Sequence, residues 1–126
     1  MIPQASILII DDEEDVANLL AKRLKANGYK VTCLYKGNGA IQAMRQAIPD
    51  LLLLDIWMPD LNGKEIFRLM REDAELNRIP VIFFSADPSQ EETCLSELGA
   101  DGFIRKPYNP MELTDLIRNI LKKNNV

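Results

Sequence analysis

Apolar residues fall in short dense runs, separated by stretches where they recur every three or four positions. Ile7-Leu8-Ile9-Ile10, Leu51-Leu52-Leu53-Leu54 and Val81-Ile82-Phe83-Phe84 contain no polar residue at all. Such runs suit strands buried on both faces of a parallel sheet. Lys30 to Leu34 is less apolar and reads as an edge strand, and Gly102-Phe103-Ile104 as a short fifth strand. Between the runs the spacing is helical. Val16, Leu19, Leu20 and Leu24 mark a first helix, closed by Asn27-Gly28, glycine being the usual left-handed residue at a helix end. A second spans Asn38 to Ala47, with Ala40, Ile41, Met44, Ala47 and Ile48 at helical spacing and Pro49 as its stop. A third, around Lys64 to Ala74, buries Ile66, Leu69 and Met70. A weaker fourth runs from about Gln90 to Leu98 and ends at Gly99. The last, about Pro110 to Lys123, buries Leu113, Leu116, Ile117, Ile120 and Leu121. Strand and helix alternate five times with no repeat and no internal linker. That alternation predicts an α/β fold, a parallel sheet covered by helices on both faces.

Four of the strands finish on a residue with chemical capacity: Asp11 and Asp12, Asp55, Ser85 and Lys106. Parallel strands bring these ends to one rim, the rim where open α/β sheets hold ligands. Pro59 cannot continue a ladder, so Asp55 falls at the carboxyl end of the leucine strand. If the strand order is 2-1-3-4-5, the first and third strands are neighbours, and Asp11, Asp12 and Asp55 crowd together at the switch point between them. Three adjacent carboxylates cannot all ionise unaided. Mg²⁺ answers that repulsion, since it favours a few carboxylates, water and a phosphate oxygen. Three negative charges then meet two from the metal and one from Lys106. A phosphoryl group arriving there would be held by the metal, the lysine and the Ser85 hydroxyl, which is the electrostatic support phosphoryl transfer needs. Glu13, Glu14 and Asp15 read more simply, as acids favoured by the positive end of a helix dipole.

Composition narrows the chemistry further. The chain has 126 residues, the size of one domain (1–126), with 47% hydrophobic and 27% charged residues. It contains no histidine, which leaves carboxylates, hydroxyls and lysines as the reactive groups. A net charge of −4 argues against nucleic acid as a direct partner. No apolar run reaches membrane-spanning length, and Met1-Ile2-Pro3-Gln4 carries no export signal. Cys33 and Cys94 match no metal or redox spacing and are expected to be reduced and packed, as in a cytoplasmic protein.

Taken together, Ile-Ile-Asp11-Asp12-Glu, Asp55-Ile-Trp-Met-Pro-Asp-Leu-Asn-Gly63, Phe-Phe-Ser85-Ala and Gly-Ala-Asp-Gly-Phe103-Ile-Arg-Lys106-Pro107 resemble the receiver domain of two-component response regulators, chemotaxis regulators among them. The likeness runs from about Ser6 to Leu121. It implies a flavodoxin-like, doubly wound (βα)5 three-layer sandwich with a five-stranded parallel sheet of order 2-1-3-4-5. It implies that Asp55 is the phosphoacceptor, receiving a phosphoryl group from a histidine of a sensor histidine kinase or histidine phosphotransfer protein. Asp12, Asp55 and the Trp57 backbone carbonyl would bind Mg²⁺ directly, and Asp11 through water. Lys106 would pair with the phosphoryl oxygens, Ser85 would turn inward to bond one of them, and Phe103 would be the aromatic switch. The output would be read by a downstream effector or a second subunit on the face of the fourth helix, fifth strand and fifth helix. Such a domain is a signalling module that catalyses only its own phosphorylation and dephosphorylation. The Lys106-Pro107 bond is expected to be cis. Phe103 stands where tyrosine is frequent, and Trp57 is bulky for a position bordering the site. With nothing of an effector after Val126, the chain is expected to be a stand-alone receiver or one cut from a longer protein.

An aspartate-nucleophile phosphohydrolase also uses a strand-end aspartate and Mg²⁺. It needs a second acid two residues after the nucleophile, and Trp57 occupies that place. A degenerate interaction module would have lost Asp12, Asp55 or Lys106, and all three are present.

Overall fold

Alternate residues of each buried strand serve different layers, which is why unbroken apolar runs are needed at the centre of the sheet. The computed structural model describes residues 4–124; what was expected of Met1, Ile2, Pro3 and Val126 lies outside that range. The elements are β1 (Ser6–Ile10), α1 (Glu14–Ala26), β2 (Lys30–Leu34), α2 (Ala40–Gln46), β3 (Leu51–Leu54), α3 (Gly63–Glu72) and β4 (Val81–Ser85). An irregular helical segment, 88–97, leads to β5 (Gly102–Arg105) and α4 (Pro110–Lys123). All pairings are parallel and the sheet order is β2-β1-β3-β4-β5, as the resemblance implies.

Leu8, Ile10, Leu52, Leu54 and Phe83 point to one face, where they meet Met44 of α2 and Ile66, Phe67 and Met70 of α3. Ile7, Ile9, Leu51, Leu53, Ile82 and Phe84 point to the other, against Ala17, Leu20 and Leu24 of α1 and Leu113, Ile117 and Leu121 of α4. This is the period-2 alternation of a strand, sandwiched between two helical layers. Cys94 is buried, Cys33 half-buried, and both are free thiols.

The helical stripes are narrower than the sequence pattern predicts. Leu19, Ile48 and Leu69 are exposed, at 53%, 50% and 47%. On α1 the inward row is Ala17, Leu20, Ala21 and Leu24, and Leu19 lies a full residue's rotation away from it. Leu69 stands in the same relation to Ile66, Phe67 and Met70. The second helix is shorter than Asn38 to Ala47 because Gly39 adopts a left-handed φ of 86°, which no helix interior accommodates. The third begins one residue earlier than expected, at Gly63, where the Asn62 side chain caps the Lys64 amide at 2.7 Å, and it ends at Glu72. The fourth helix is corrected most. It consists of a 3-10 turn at Pro88–Gln90 and a π turn at Thr93–Glu97, with the Leu98 amide bonding the Thr93 carbonyl five residues back at 2.9 Å. Cys94 is the one side chain in its π turn that is fully buried, so little packing holds that stretch to regular α geometry.

Candidate functional site

Backbone hydrogen bonds carry the sheet one step past each strand and so aim the polar residues. Register pairs Ile10 with Leu54 and Leu54 with Phe83. Beyond it, the Asp11 amide bonds the Leu34 carbonyl at 3.0 Å, Asp55 the Ile10 carbonyl at 2.9 Å, and Lys106 the Ser85 carbonyl at 2.9 Å. Asp11, Asp55 and Ser85 are thereby fixed at the same rim, and these three are buried: 0%, 5% and 0% exposed. Asp12, half-buried, completes an acidic cluster whose ligand oxygens on Asp11, Asp12 and Asp55 lie within 4.8 Å of one another.

Lys106 reaches into this cluster from the turn after β5. Its Nζ lies 2.8 Å from Asp11 Oδ2, 2.9 Å from Glu13 Oε1 and 3.6 Å from Asp55 Oδ2. The contact to Asp11 Oδ2 is an ion pair, and that buried oxygen accepts no hydrogen bond. Asp11 Oδ1 accepts the Glu13 amide at 2.9 Å. Burial pushes the Asp55 carboxyl up to about 7; Lys106 opposes the shift, while the nearby carboxylates of Asp11 and Asp12 add to it. Burial works against the Lys106 ammonium, but Asp11, Glu13 and Asp55 overcome it and raise its pKa. A lone buried lysine would shift the other way, so the carboxylates dominate here.

A hard cation fits these residues on chemical grounds. The donors are oxygens only, one of them buried and accepting no hydrogen bond, and the local charge is negative even with Lys106 counted.

The loop after Asp55 is shaped by two contacts. A Cβ on Gly63 would stand 2.1 Å from the Asp55 carbonyl oxygen, so only glycine lets α3 start this close to the strand end. Asp60 accepts the Gly37 and Asn38 amides at 3.1 and 2.8 Å, tying this loop to the one before α2. Trp57 is 52% exposed on the loop, with the Lys64 ammonium 5.9 Å from its ring centre. Ser85 Oγ accepts the Asp87 amide at 3.1 Å. Phe103 is half-buried against the α2–α3 side of the core. The Lys106-Pro107 bond is cis, as expected.

The structure thus brings Asp11, Asp12, Asp55 and Lys106 together and sets Ser85 on the same rim. Glu13 is the residue sequence reasoning passed over. Its place in the chain marks it as a helix-start acid, and α1 does begin beside it, but its side chain makes no cap and turns instead to Lys106. Nothing in a run of five acids distinguishes that one, so the sequence held no signal for it.

Comparison with known proteins agrees with this fold. Residues 7–118 match the family model described as the response regulator receiver domain. A CheY-like response regulator receiver domain protein from Methanospirillum hungatei superposes with a TM-score of 0.88 at 26% identity, covering 98% of each chain. The receiver domain of a Francisella response regulator gives 0.83 at 27% identity, over 98% of this chain and 100% of that one. The signal receiver domain of a histidine kinase from Syntrophus aciditrophicus gives 0.84 at 30% identity, over 94% of this chain and 91% of that one. With the family model covering most of its length, the chain belongs to the response regulator receiver domain family.

Proposed function

We propose that this receiver domain takes a phosphoryl group on Asp55 from a phosphohistidine of a sensor histidine kinase or histidine phosphotransfer protein, in a Mg²⁺-dependent reaction. The observation that carries the reading is the surroundings of Asp55: a buried carboxylate with two acids in ligand range and a lysine 3.6 Å away. Asp11, Asp12, Asp55 and the Trp57 backbone carbonyl would hold the ion. When bound, it supplies positive charge against the oxygens of the transferring group. Within the protein, a carboxylate oxygen of Asp55 attacks phosphorus, and the bond from phosphorus to the donor breaks. Lys106 balances charge on the new acyl phosphate. The absence of histidine from the chain is consistent with a donor on another molecule.

The output follows from two further residues. In the resting structure the Ser85 hydroxyl serves the Asp87 amide. Phosphoryl oxygens on Asp55 would draw it inward, because a charge-assisted hydrogen bond is stronger than a neutral one. Phe103 would then rotate toward the space beside β4. Phe103 lines a concavity of about 450 Å³ with Glu91, Arg105 and Asn109, on the face of segment 88–97, β5 and α4. That face is where a downstream effector or a second copy would bind. Among the described residues no helix is long and apolar enough to cross a membrane, and two free thiols suit the cytoplasm.

Acetyl phosphate with Mg²⁺ is expected to add the mass of one phosphoryl group, and chelation of the metal or Asp55→Asn to abolish the gain. Undiminished labelling of the asparagine variant would refute the assignment.

A further inference from the structure

We infer that Glu13 is a positioning residue that restrains phosphoryl transfer, by holding the Lys106 ammonium away from Asp55 and placing a negative charge at the mouth of the site. This rests on the reading that Asp55 is the acceptor.

The argument begins with the partners of Lys106. An ammonium has three donors in a compact point charge. Its two near neighbours are Asp11 at 2.8 Å and Glu13 at 2.9 Å, whereas Asp55 is at 3.6 Å. Asp11 is fully buried and anchored through its other oxygen to the Glu13 amide. It therefore has little freedom to let the lysine go. The Glu13 side chain is 57% exposed and can exchange its contact for water. Of the two close carboxylates, Glu13 is the one that sets how readily Lys106 turns to an incoming phosphoryl oxygen.

Position makes the effect directional. Lys106 itself is 10% exposed, so its ammonium is largely covered, while Glu13 stands on the solvent side of it. Glu13 and Lys106 both line the groove that opens beside Pro107 and Tyr108. An anionic donor whose oxygens seek the lysine meets the charge of the glutamate as well. For acetyl phosphate, an Asp55 oxygen forms the new bond to phosphorus, the bond from phosphorus to the acetyl oxygen breaks, and acetate leaves with that electron pair. Net negative charge must enter the site, and a second carboxylate on Lys106 opposes its entry.

The experiment compares initial rates of Asp55 labelling by acetyl phosphate, at saturating Mg²⁺, in the unmodified protein, Glu13→Gln and Glu14→Gln. Glu14 carries the same charge in the first turn of α1 and makes no ion pair with Lys106 among the described residues. Glu13→Gln is expected to label about two- to tenfold faster at low ionic strength, mainly through a lower KM for the donor, with the gain shrinking as salt is added. Glu14→Gln should change the rate by less than about twofold. Damage to the fold lowers rates, so a salt-sensitive gain separates this role from a structural one. Labelling of the unmodified protein with equal or slower labelling of Glu13→Gln would overturn the inference alone. So would an equal gain in Glu14→Gln, which reports bulk charge and not the Lys106 contact. If the unmodified protein takes no label at all, the reading of Asp55 falls and the inference with it.

Discussion

Asp55, the proposed acceptor, is buried among other acids, and the resulting conflict is measurable. Its pKa rises from 3.8 to about 7, first through burial and then through Asp11 and Asp12, with Lys106 pulling the other way. A folded-state pKa above the unfolded value means that the native state holds the proton more tightly. The resulting stabilisation is complete below about 3.8 and is lost as pH rises through about 7. In chelator, unfolding free energy is therefore expected to fall as the pH is raised across that window. Asp55→Asn, which has no charge to repel, should flatten the slope and be more stable at neutral pH by on the order of 2–4 kcal/mol. Denaturant titrations of both proteins across the window check this; parallel pH profiles would show that Asp55 is not the strained group. Glu13 and Asp11 illustrate the same scale differently. Both are acids in one run, yet one is exposed while the other is fully buried, and only the fold separates them.

At the scale of elements, the site depends on where α3 starts. The Gly63 amide bonds the Ile56 carbonyl at 2.8 Å, and its missing Cβ would stand 2.1 Å from the Asp55 carbonyl oxygen. The obstacle is backbone, which cannot swing aside as a side chain would. Gly63→Ala is thus expected to cost about 3 kcal/mol, the upper range for overpacking, although alanine is the better helix former. It should also slow Asp55 labelling, because relief of the clash displaces the strand end itself. Urea unfolding with a labelling assay tests both, and a variant as stable as the parent would show that the loop yields freely. Segment 88–97 is the opposite case. Its 3-10 and π turns are fixed by one fully buried side chain in the π turn, Cys94, and by local bonds such as Asp87 to the Ser89 amide at 3.1 Å. An element so weakly packed is the natural one to move.

For the whole molecule, the proposed switch links the rim to that weakly packed face. A ligand shifts such an equilibrium only by its differential affinity for the two states. The response should therefore require both the phosphoryl group and the Ser85 hydroxyl. Beryllofluoride, a phosphoryl mimic, is expected to move amide resonances across residues 87–108 in the unmodified protein. In Ser85→Ala the mimic should still bind at Asp55 but shift those amides much less. A full shift pattern in the alanine variant would remove the hydroxyl from the signalling route.

The fold class and most of the site were legible in the sequence, because both rest on short-range patterns. Unbroken runs such as Leu51 to Leu54, short and closed by turn residues, suit two-sided strands in a layered α/β protein, and the polar residue ending each run must lie on one rim if the strands are parallel. Asp11, Asp12, Asp55, Ser85 and Lys106 follow from that logic without coordinates. What the tertiary structure decided concerns contacts between segments distant in sequence. Leu76 and Ile79 are buried at 0% and 4% although no periodic pattern marks them, since they join the cluster that holds Met70, Val81 and Phe83. Leu19 and Leu69 are exposed because the helices turn Ala17, Leu20, Ala21 and Leu24, and Ile66, Phe67 and Met70, to the core instead. The fourth helix is irregular because packing, which the local pattern does not measure, is thin there. Glu13 meets Lys106 across 93 positions of chain, a juxtaposition created by the parallel sheet and invisible to any local window.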